Sequence, residues 1–265
     1  MNSRPRTSSR VDNDFSSAIS TGDFDKAARL LTDGAEINLV IPTVEPDERG
    51  MYEGTTTYLI EAAFRGQAET VRFLLNNGAD PNIAGTFAGQ TALLAAARRG
   101  YAEVVDLLLA HGADFSAVDH PSKFNAMEYA IFNENAAIVR SLLAAGARPT
   151  FRRLSFNGEG GAAAREIIRM LIEHGTDINK KDDWGRTALM WAAERAPLET
   201  VQFLIDSGAD VNMVSGKNMN GVSSKETALQ LAGRAKRSDI VALLLRYGAQ
   251  QKPSLIARVK KSIRW

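Results

Sequence analysis

The chain has no cysteine and only three histidines, and its 32 basic residues are nearly matched by 31 acidic ones. Without cysteine there are no disulfides, no thiolate nucleophile and no Cys-ligated metal site, and the redox compartment stays open. His111, His120 and His174 share no metal-ligand spacing, and neither H-E-x-x-H nor G-x-S-x-G occurs. A net charge of +1 argues against a nucleic-acid protein that relies on a strong overall positive field. No apolar run approaches the ~20 residues of a membrane span, so no transmembrane segment is expected. The N-terminal MNSRPRTSSR is basic, but no apolar stretch follows it, and a cytoplasmic location is the default expectation. What is present is 45% hydrophobic and 24% charged residues over 265 positions, enough for a large core rather than wholesale disorder.

One phrase recurs. FLLNNGADPN at 73–82, LLLAHGADFS at 107–116, MLIEHGTDIN at 170–179 and FLIDSGADVN at 203–212 are close copies. RLLTDGAEIN at 29–38, SLLAAGARPT at 141–150 and LLLRYGAQ at 243–250 are weaker ones. Their glycines, Gly34, Gly78, Gly112, Gly146, Gly175, Gly208 and Gly248, are spaced 44, 34, 34, 29, 33 and 40 residues apart. A period near 33 with insertions and deletions marks a repeat architecture. Before each glycine stands an apolar triplet at i, i+3, i+4, such as Val71/Leu74/Leu75 or Val201/Leu204/Ile205. That spacing lines one face of a helix. The glycine three residues later suits a helix stop, where φ > 0 carries no Cβ penalty.

A second helix precedes this one in most copies: TYLIEAAFRG at 57–66, TALLAAARRG at 91–100, TALMWAAERA at 187–196 and TALQLAGRAK at 227–236. Thr57, Thr91, Thr187 and Thr227 are placed to cap it. The alanine pairs Ala62/Ala63, Ala96/Ala97 and Ala192/Ala193 allow close helix approach. One such helix pair cannot bury its own apolar face, whereas a stack of them can.

The pattern T-A-L…A-A…G…E-x-V-x-x-L-L-x-x-G-A-D-x-N, at 91–114 and 187–212, resembles the ankyrin repeat family, and the likeness runs over roughly residues 14–250. The resemblance implies an all-α solenoid of about seven helix-turn-helix repeats with short hairpin loops. One repeat near 149–175 is degenerate. The expected organisation is a disordered segment at 1–13, the repeat domain at 14–250, and a basic capping helix or tail at 251–265. The family's Thr-Pro-Leu-His is replaced by Thr-Ala-Leu followed by Leu94, Met190 or Gln230, so the Thr–His hydrogen bonding of the family is absent.

Three stretches break the pattern. LVIPTVEPDERGMYEGT, 39–55, carries Glu45, Asp47, Glu48 and Glu53 and reads as a surface loop or an acidic finger. MVSGKNMNGVSSKE, 213–226, reads as a polar loop. In FRRLSFNGEGGAAAREIIRML, 151–171, glycines replace a first helix. With no buried strand before them and no Lys-Ser/Thr after them, they do not make a phosphate cradle. Residues 11–53 carry ten acids against three bases, and 234–265 carry nine bases against Asp239.

No catalytic constellation, metal site or cofactor motif emerges. His111 and His174 precede repeat glycines and suit helix-end cations. The resemblance implies a non-enzymatic protein-binding module, a scaffold, adaptor or inhibitor, working as a monomer or in weak self-association. Its partner would lie in a groove formed by hairpin tips and the outer side of the first helices. The residues at those positions are Phe64, Arg65, Phe87, Gln90, Arg98, Arg99, Phe124, Phe132, Asn133, Trp184, Arg186, Glu194 and Arg195. Aromatics and arginine are the types enriched at energetic centres of interfaces. Phe64, Phe87, Phe124, Phe132 and Trp184 are expected to be exposed, and Trp191 and Tyr129 to pack in the core. The alternative is an anionic ligand or nucleic acid on Arg65, Arg98, Arg99, Arg152, Arg153 and Arg186.

Overall fold

The computed structural model describes residues 10–42, 54–86, 88–120, 122–149, 161–217, 221 and 225–250. The acidic stretch 43–53, Phe87, the glycine-rich 151–160 with Arg152 and Arg153, and the basic tail 251–265 lie outside the described residues. Helices α1 (Arg10–Thr21) and α2 (Phe24–Thr32) are followed by strands β1 (Val40–Pro42) and β2 (Thr55–Thr57). Then come α3 (Tyr58–Arg65), α4 (Ala68–Asn76), α5 (Ala92–Arg99), α6 (Ala102–Ala110), α7 (Ala126–Phe132) and α8 (Ala136–Ala144). The remainder are α9 (Ala162–Glu173), α10 (Ala188–Arg195), α11 (Leu198–Asp206), α12 (Ala228–Arg234) and α13 (Ser238–Arg246). Twelve of these helices form six pairs, and α9 stands alone among the described residues. The chain divides into two compact units: Met1–Ala130 with Ala137–Ala147, and Ile131–Ala136 with Arg148–Trp265.

The first helices start where their capping residues dictate. Thr57, Thr91, Thr187 and Thr227 have extended backbones, and each hydroxyl accepts from the N–H three residues on, at Ile60, Leu94, Met190 and Gln230. Gln230 also returns its side-chain oxygen to the Thr227 N–H at 3.0 Å, a reciprocal capping box. The fourth copy has no threonine here. Asn125 and Glu128 cap each other instead, at 2.9 Å both ways, and Glu128 is 1% exposed.

The phrase glycines end the second helices in left-handed backbone, with φ between 78° and 98°. At Gly78 the chain reverses through two bonds, Gly78 N–H to the Leu75 carbonyl (3.1 Å) and Ala79 N–H to the Leu74 carbonyl (3.0 Å), the Schellman pattern. The next residues join neighbouring copies. The Asp80, Asp177 and Asp210 carboxylates each accept from the N–H two residues ahead, at Asn82, Asn179 and Asn212. Each of those asparagines then reaches the following copy. Asn82 donates to the Gly112 carbonyl and accepts from Asp114 N–H, at 3.1 and 2.7 Å. Asn179 does the same at Gly208 and Asp210, and Asn212 at Gly248 and Gln250. Ser116 occupies the asparagine position of the third copy and turns its hydroxyl back onto Asp114 at 2.7 Å.

In the first unit α3 packs on α5 and α4 on α6; in the second α10 packs on α12 and α11 on α13. The triplets supply the core: Val71, Leu74, Val105 and Leu108 are fully buried in one unit, and Ile168, Leu171, Val201 and Leu204 in the other. Burying each Val or Leu side chain contributes about 1.5–3 kcal/mol. The Ala62/Ala63, Ala96/Ala97 and Ala192/Ala193 pairs are at most 2% exposed, as close helix approach requires.

Two features differ from the sequence expectation. Helix α1 begins at Arg10, inside the stretch 1–13 expected to be disordered. Asp12 accounts for this: its carboxylate accepts from Glu36 N–H at 3.0 Å and its carbonyl from the Tyr58 hydroxyl at 3.2 Å. Burial, and then the Asp12 charge, push the Tyr58 phenol up to about 12. Phe15 meets the Tyr58 ring edge-on at 5.2 Å. The insertion between copies one and two is also not wholly loop. Its ends pair as antiparallel strands, Val40 opposite Thr57 and Pro42 opposite Thr55, and the Thr55 carbonyl accepts from Thr86 N–H at 3.1 Å.

The geometry gives two stability predictions. Lys236 holds φ of 59° at the position where the first helices of copies two and three carry Gly66 and Gly100. Lys236→Gly is expected to raise the urea midpoint, by about 1 kcal/mol of stability, because left-handed backbone penalises a Cβ. The Thr176 hydroxyl is buried without a hydrogen-bond partner, where the other six copies carry alanine. Thr176→Ala is expected to stabilise by about 1 kcal/mol, and Asn212→Ala to destabilise by a similar amount in the same assay.

Candidate functional site

Each unit gathers polar and aromatic side chains where a hairpin meets the outer side of a first helix. In the second unit the hairpin 182–186 closes through Asp182 N–H to the Arg186 carbonyl at 2.8 Å. The Asp182 carboxylate accepts from Trp184 N–H (2.9 Å), Arg186 N–H (2.8 Å) and the Trp191 indole Nε1–H (2.7 Å). Trp191 sits on α10 and so ties the hairpin to its helix. Burial pushes the Asp182 carboxyl above the ordinary carboxylate range, against the pull of those three donors. Gly185, at φ of 73°, could carry no side chain: a Cβ there would lie 2.7 Å from the Gly216 carbonyl carbon.

Around this anchor the indoles of Trp184 and Trp191 meet edge-on at 6.0 Å. The guanidiniums of Arg186 and Arg195 lie 4.5 and 5.2 Å from the Trp191 ring centre, within cation–π range. Arg186 also pairs with Glu194 at 2.8 Å, both largely shielded from solvent. Arg234 continues the chain of charges, 3.7 Å from Glu194 and 2.5 Å from Glu226. Trp184 remains 38% exposed.

The first unit repeats the device with a different aromatic. Asp119 N–H donates to the Phe124 carbonyl at 2.9 Å. The Asp119 carboxylate accepts from Phe124 N–H at 2.7 Å and from the Tyr129 hydroxyl of α7 at 2.6 Å. Burial and then that bond raise the Tyr129 phenol far above its ordinary range. Phe124 lies 5.1 Å from the Tyr129 ring. Gln90, Arg98, Leu94, Ala88, Asp119 and Tyr129 line a small depression beside it. His120 N–H donates to the Ala88 carbonyl at 2.8 Å, joining adjacent hairpins.

The thirteen residues expected at the surface fall into distinct groups. Trp184 and Phe132 are exposed, at 38% and 37%, and Asn133, Arg65, Arg98, Arg99 and Arg195 are exposed too. Phe64 and Phe124 are half-buried rather than exposed, because Arg99 covers the Phe64 ring at 4.6 Å and Tyr129 covers Phe124. Gln90, Arg186 and Glu194 are also half-buried. Phe87 is outside the described residues. Trp191 and Tyr129, expected in the core, are half-buried, with their polar tips on hairpin carboxylates. Sequence reading missed Asp119 and Asp182 as anchors. The available signal was an Asp nine or ten residues before an aromatic that could reach back to it.

The arginines of the alternative reading are engaged where they are described. Arg65 pairs with Glu61 at 2.6 Å, Arg186 with Glu194, and Arg99 with Phe64. Arg165, beside the glycine-rich stretch, donates to Thr200 at 3.3 Å and so braces α9 against α11. His111 and His174 stand at helix C-caps and place Nδ1 2.9 and 2.8 Å from the carbonyls four residues back. Among the described residues no cluster of His, Asp and Glu is placed to hold a metal ion, and no helix is long and apolar enough to cross a membrane.

A family model for ankyrin repeats matches residues 59–153 and 161–254. This chain belongs to the ankyrin repeat family. Ankyrin repeats are protein-binding modules, and the helix pairs and hairpins described above are their unit. Among curated relatives, BRCA1-associated RING domain protein 1 of Caenorhabditis elegans is 39% identical over 90 residues, 34% of this chain and 12% of the relative. Human NF-kappa-B inhibitor zeta is 36% identical over 85 residues, 32% of this chain and 12% of the relative. The chain thus spans about an eighth of the length of these relatives. The crystal structure of the human ASB11 ankyrin repeat domain superposes with a TM-score of 0.62 at 23% identity, covering 90% of this chain and 99% of that one, which establishes a common fold.

The indole–carboxylate bond makes a pH-dependent prediction. The raised pKa of Asp182 means its contribution to stability is present below the unfolded pKa and is lost as pH rises through the folded one. Trp191→Phe removes a donor that favours the ionised form, so the folded pKa rises further and the loss grows. Beyond its packing change, the variant is expected to cost little in acid and about 1–3 kcal/mol at neutral pH, measured by urea unfolding at both. Equal destabilisation at the two pH values would mean that the bond carries no weight.

Proposed function

We propose that this ankyrin repeat chain is a non-enzymatic scaffold, adaptor or inhibitor that holds a protein partner on its hairpin tips and the outer sides of its first helices. The observation that carries this reading is Trp184: a large indole, 38% exposed, on a hairpin whose backbone donates two hydrogen bonds to Asp182, itself tied to α10 by the Trp191 indole. A side chain presented on such a pre-set loop loses little conformational freedom on binding. Tryptophan and arginine are the residues that most often dominate interface energetics, and here Arg186 and Arg195 lie over Trp191, whose ring meets Trp184 edge-on. Phe132, Asn133 and Glu194 complete the second unit's contribution. Arg65, Gln90, Arg98, Arg99, Phe64, Phe87 and Phe124 are the first unit's.

Binding of an anionic ligand through the groove arginines is the weaker reading. Arg65 and Arg186 already neutralise carboxylates within the chain, and a phosphate would have to displace them.

The test is affinity capture from native extract, with wild-type chain beside Trp184→Ala and Phe132→Ala variants shown to be folded by circular dichroism. A protein retained by wild type and weakened on the order of 30-fold or more by Trp184→Ala, the size of a ≥ 2 kcal/mol hot spot, would bear the proposal out. A partner held equally by all three chains would move the binding surface elsewhere.

A further inference from the structure

We infer that the partner segment received by the second unit is acidic: an extended stretch with an apolar residue on Trp184 and Asp or Glu on either side of it. This rests on the binding role proposed above and specifies its chemistry. Hairpin 182–186 touches the segment 215–217, with Gly216 N–H donating to the Gly185 carbonyl at 2.7 Å. The Lys181 side chain runs along that seam, its Cδ 3.4 Å from where a Cβ on Gly216 would stand. Lys217 is next in the chain. The Ser215 N–H bond to the Glu226 carbonyl, at 2.8 Å, brings Lys225 across from it. On the helix side Arg195 lies over Trp191, whose ring meets Trp184. Exposed Lys181, Lys217 and Lys225 thus lie along the edge that starts at Gly185, the residue after Trp184, and exposed Arg195 lies on its helix side.

The charge balance of this edge is one-sided. None of the three lysines has an ion-pair partner among the described residues. Of the neighbouring carboxylates, Asp182 accepts three N–H groups, Glu194 binds Arg186, and Glu226 binds Arg234; Asp183, half-buried beside Trp184, is one further negative charge against the four cations. The exposed acids of this unit, Glu173, Asp177, Glu199, Asp206, Asp210 and Asp239, lie on or just after the second helices α9, α11 and α13. An arriving chain thus meets an excess of positive charge beside an indole, with the exposed acids on other elements. Complementary charge steers encounter and fixes register.

A polyphosphate backbone fits this edge less well. Of the arginine forks that suit phosphate, those of Arg186 and Arg234 are closed on Glu194 and Glu226, and that of Arg195 lies over the Trp191 ring. What is left is a short arc of point charges with an apolar centre, which suits carboxylates flanking a hydrophobic side chain.

The experiment is selection of random displayed peptides on the purified full chain, followed by affinity measurement for the synthesised winners. Enriched peptides are expected to carry Asp or Glu on both sides of an apolar residue. Their affinity is expected to fall about tenfold or more for Lys181→Glu/Lys217→Glu, to weaken with added salt, and to be unchanged by Arg246→Glu at the end of α13. Circular dichroism confirms that each variant is folded. Neutral or basic winners, or winners indifferent to the lysine reversal, overturn the inference. So does a single-stranded DNA oligonucleotide that competes as well as the peptides, which would assign the edge to nucleic acid. If no peptide is enriched while capture from extract still depends on Trp184, the acidic segment is wrong and the binding role stands. If neither experiment yields a partner, the binding role itself falls.

Discussion

An asparagine side chain that spans two repeats is the interaction on which the rest of this structure depends. A two-helix unit with one apolar face has nothing to bury it against, and stacking alone leaves the register between neighbours loose. Asn82, Asn179 and Asn212 each fix that register with a donor and an acceptor directed at the next copy. The acceptor they find is the carbonyl of the next phrase glycine, and it faces them because that glycine has turned left-handed. The aspartate two residues earlier holds the asparagine backbone in place. Glycine, aspartate and asparagine thus form a single device, repeated at the interfaces that Asn82, Asn179 and Asn212 span.

Much of this was legible because it is local. The i, i+3, i+4 triplets, the threonine caps and the glycine stops obey rules that operate within one turn of helix, and each is where the spacing put it. What escaped the sequence is joined across distance. Asp12 draws α1 back to Arg10 through partners 24 and 46 residues away. The strands at 40–42 and 55–57 meet across an insertion that reads as loop. Phe64 and Phe124 lose their exposure to Arg99 and Tyr129, neighbours set by packing rather than by periodicity. Trp191 and Tyr129 read as core residues from their place on the helix, yet the polar tip of each found a carboxylate on the preceding hairpin. An aromatic with a hydrogen-bond donor is suited to such a boundary position, apolar at one end and polar at the other.

The second unit separates two uses of charge. Arg186, Glu194, Arg234 and Glu226 spend their charges on one another along α10, α12 and the hairpin, a network that stiffens the surface without advertising a sign. Lys181, Lys217 and Lys225 have no such partners among the described residues. Rigid platform and available charge are therefore carried by different residues, and a substitution in one set can leave the other intact.

The Asp182–Trp191 bond has a practical consequence. Trp184 and Trp191 are two of the three tryptophans in the chain, the third being Trp265. One indole is half-buried with its N–H on a carboxylate and its ring under guanidiniums; the other is open to water six ångströms away. Indole emission responds to both surroundings, so the intrinsic fluorescence of this protein is dominated by a single hairpin and the helix that holds it. The molecule carries an optical probe on the surface where its partner is expected, and occupancy there can be followed without a label.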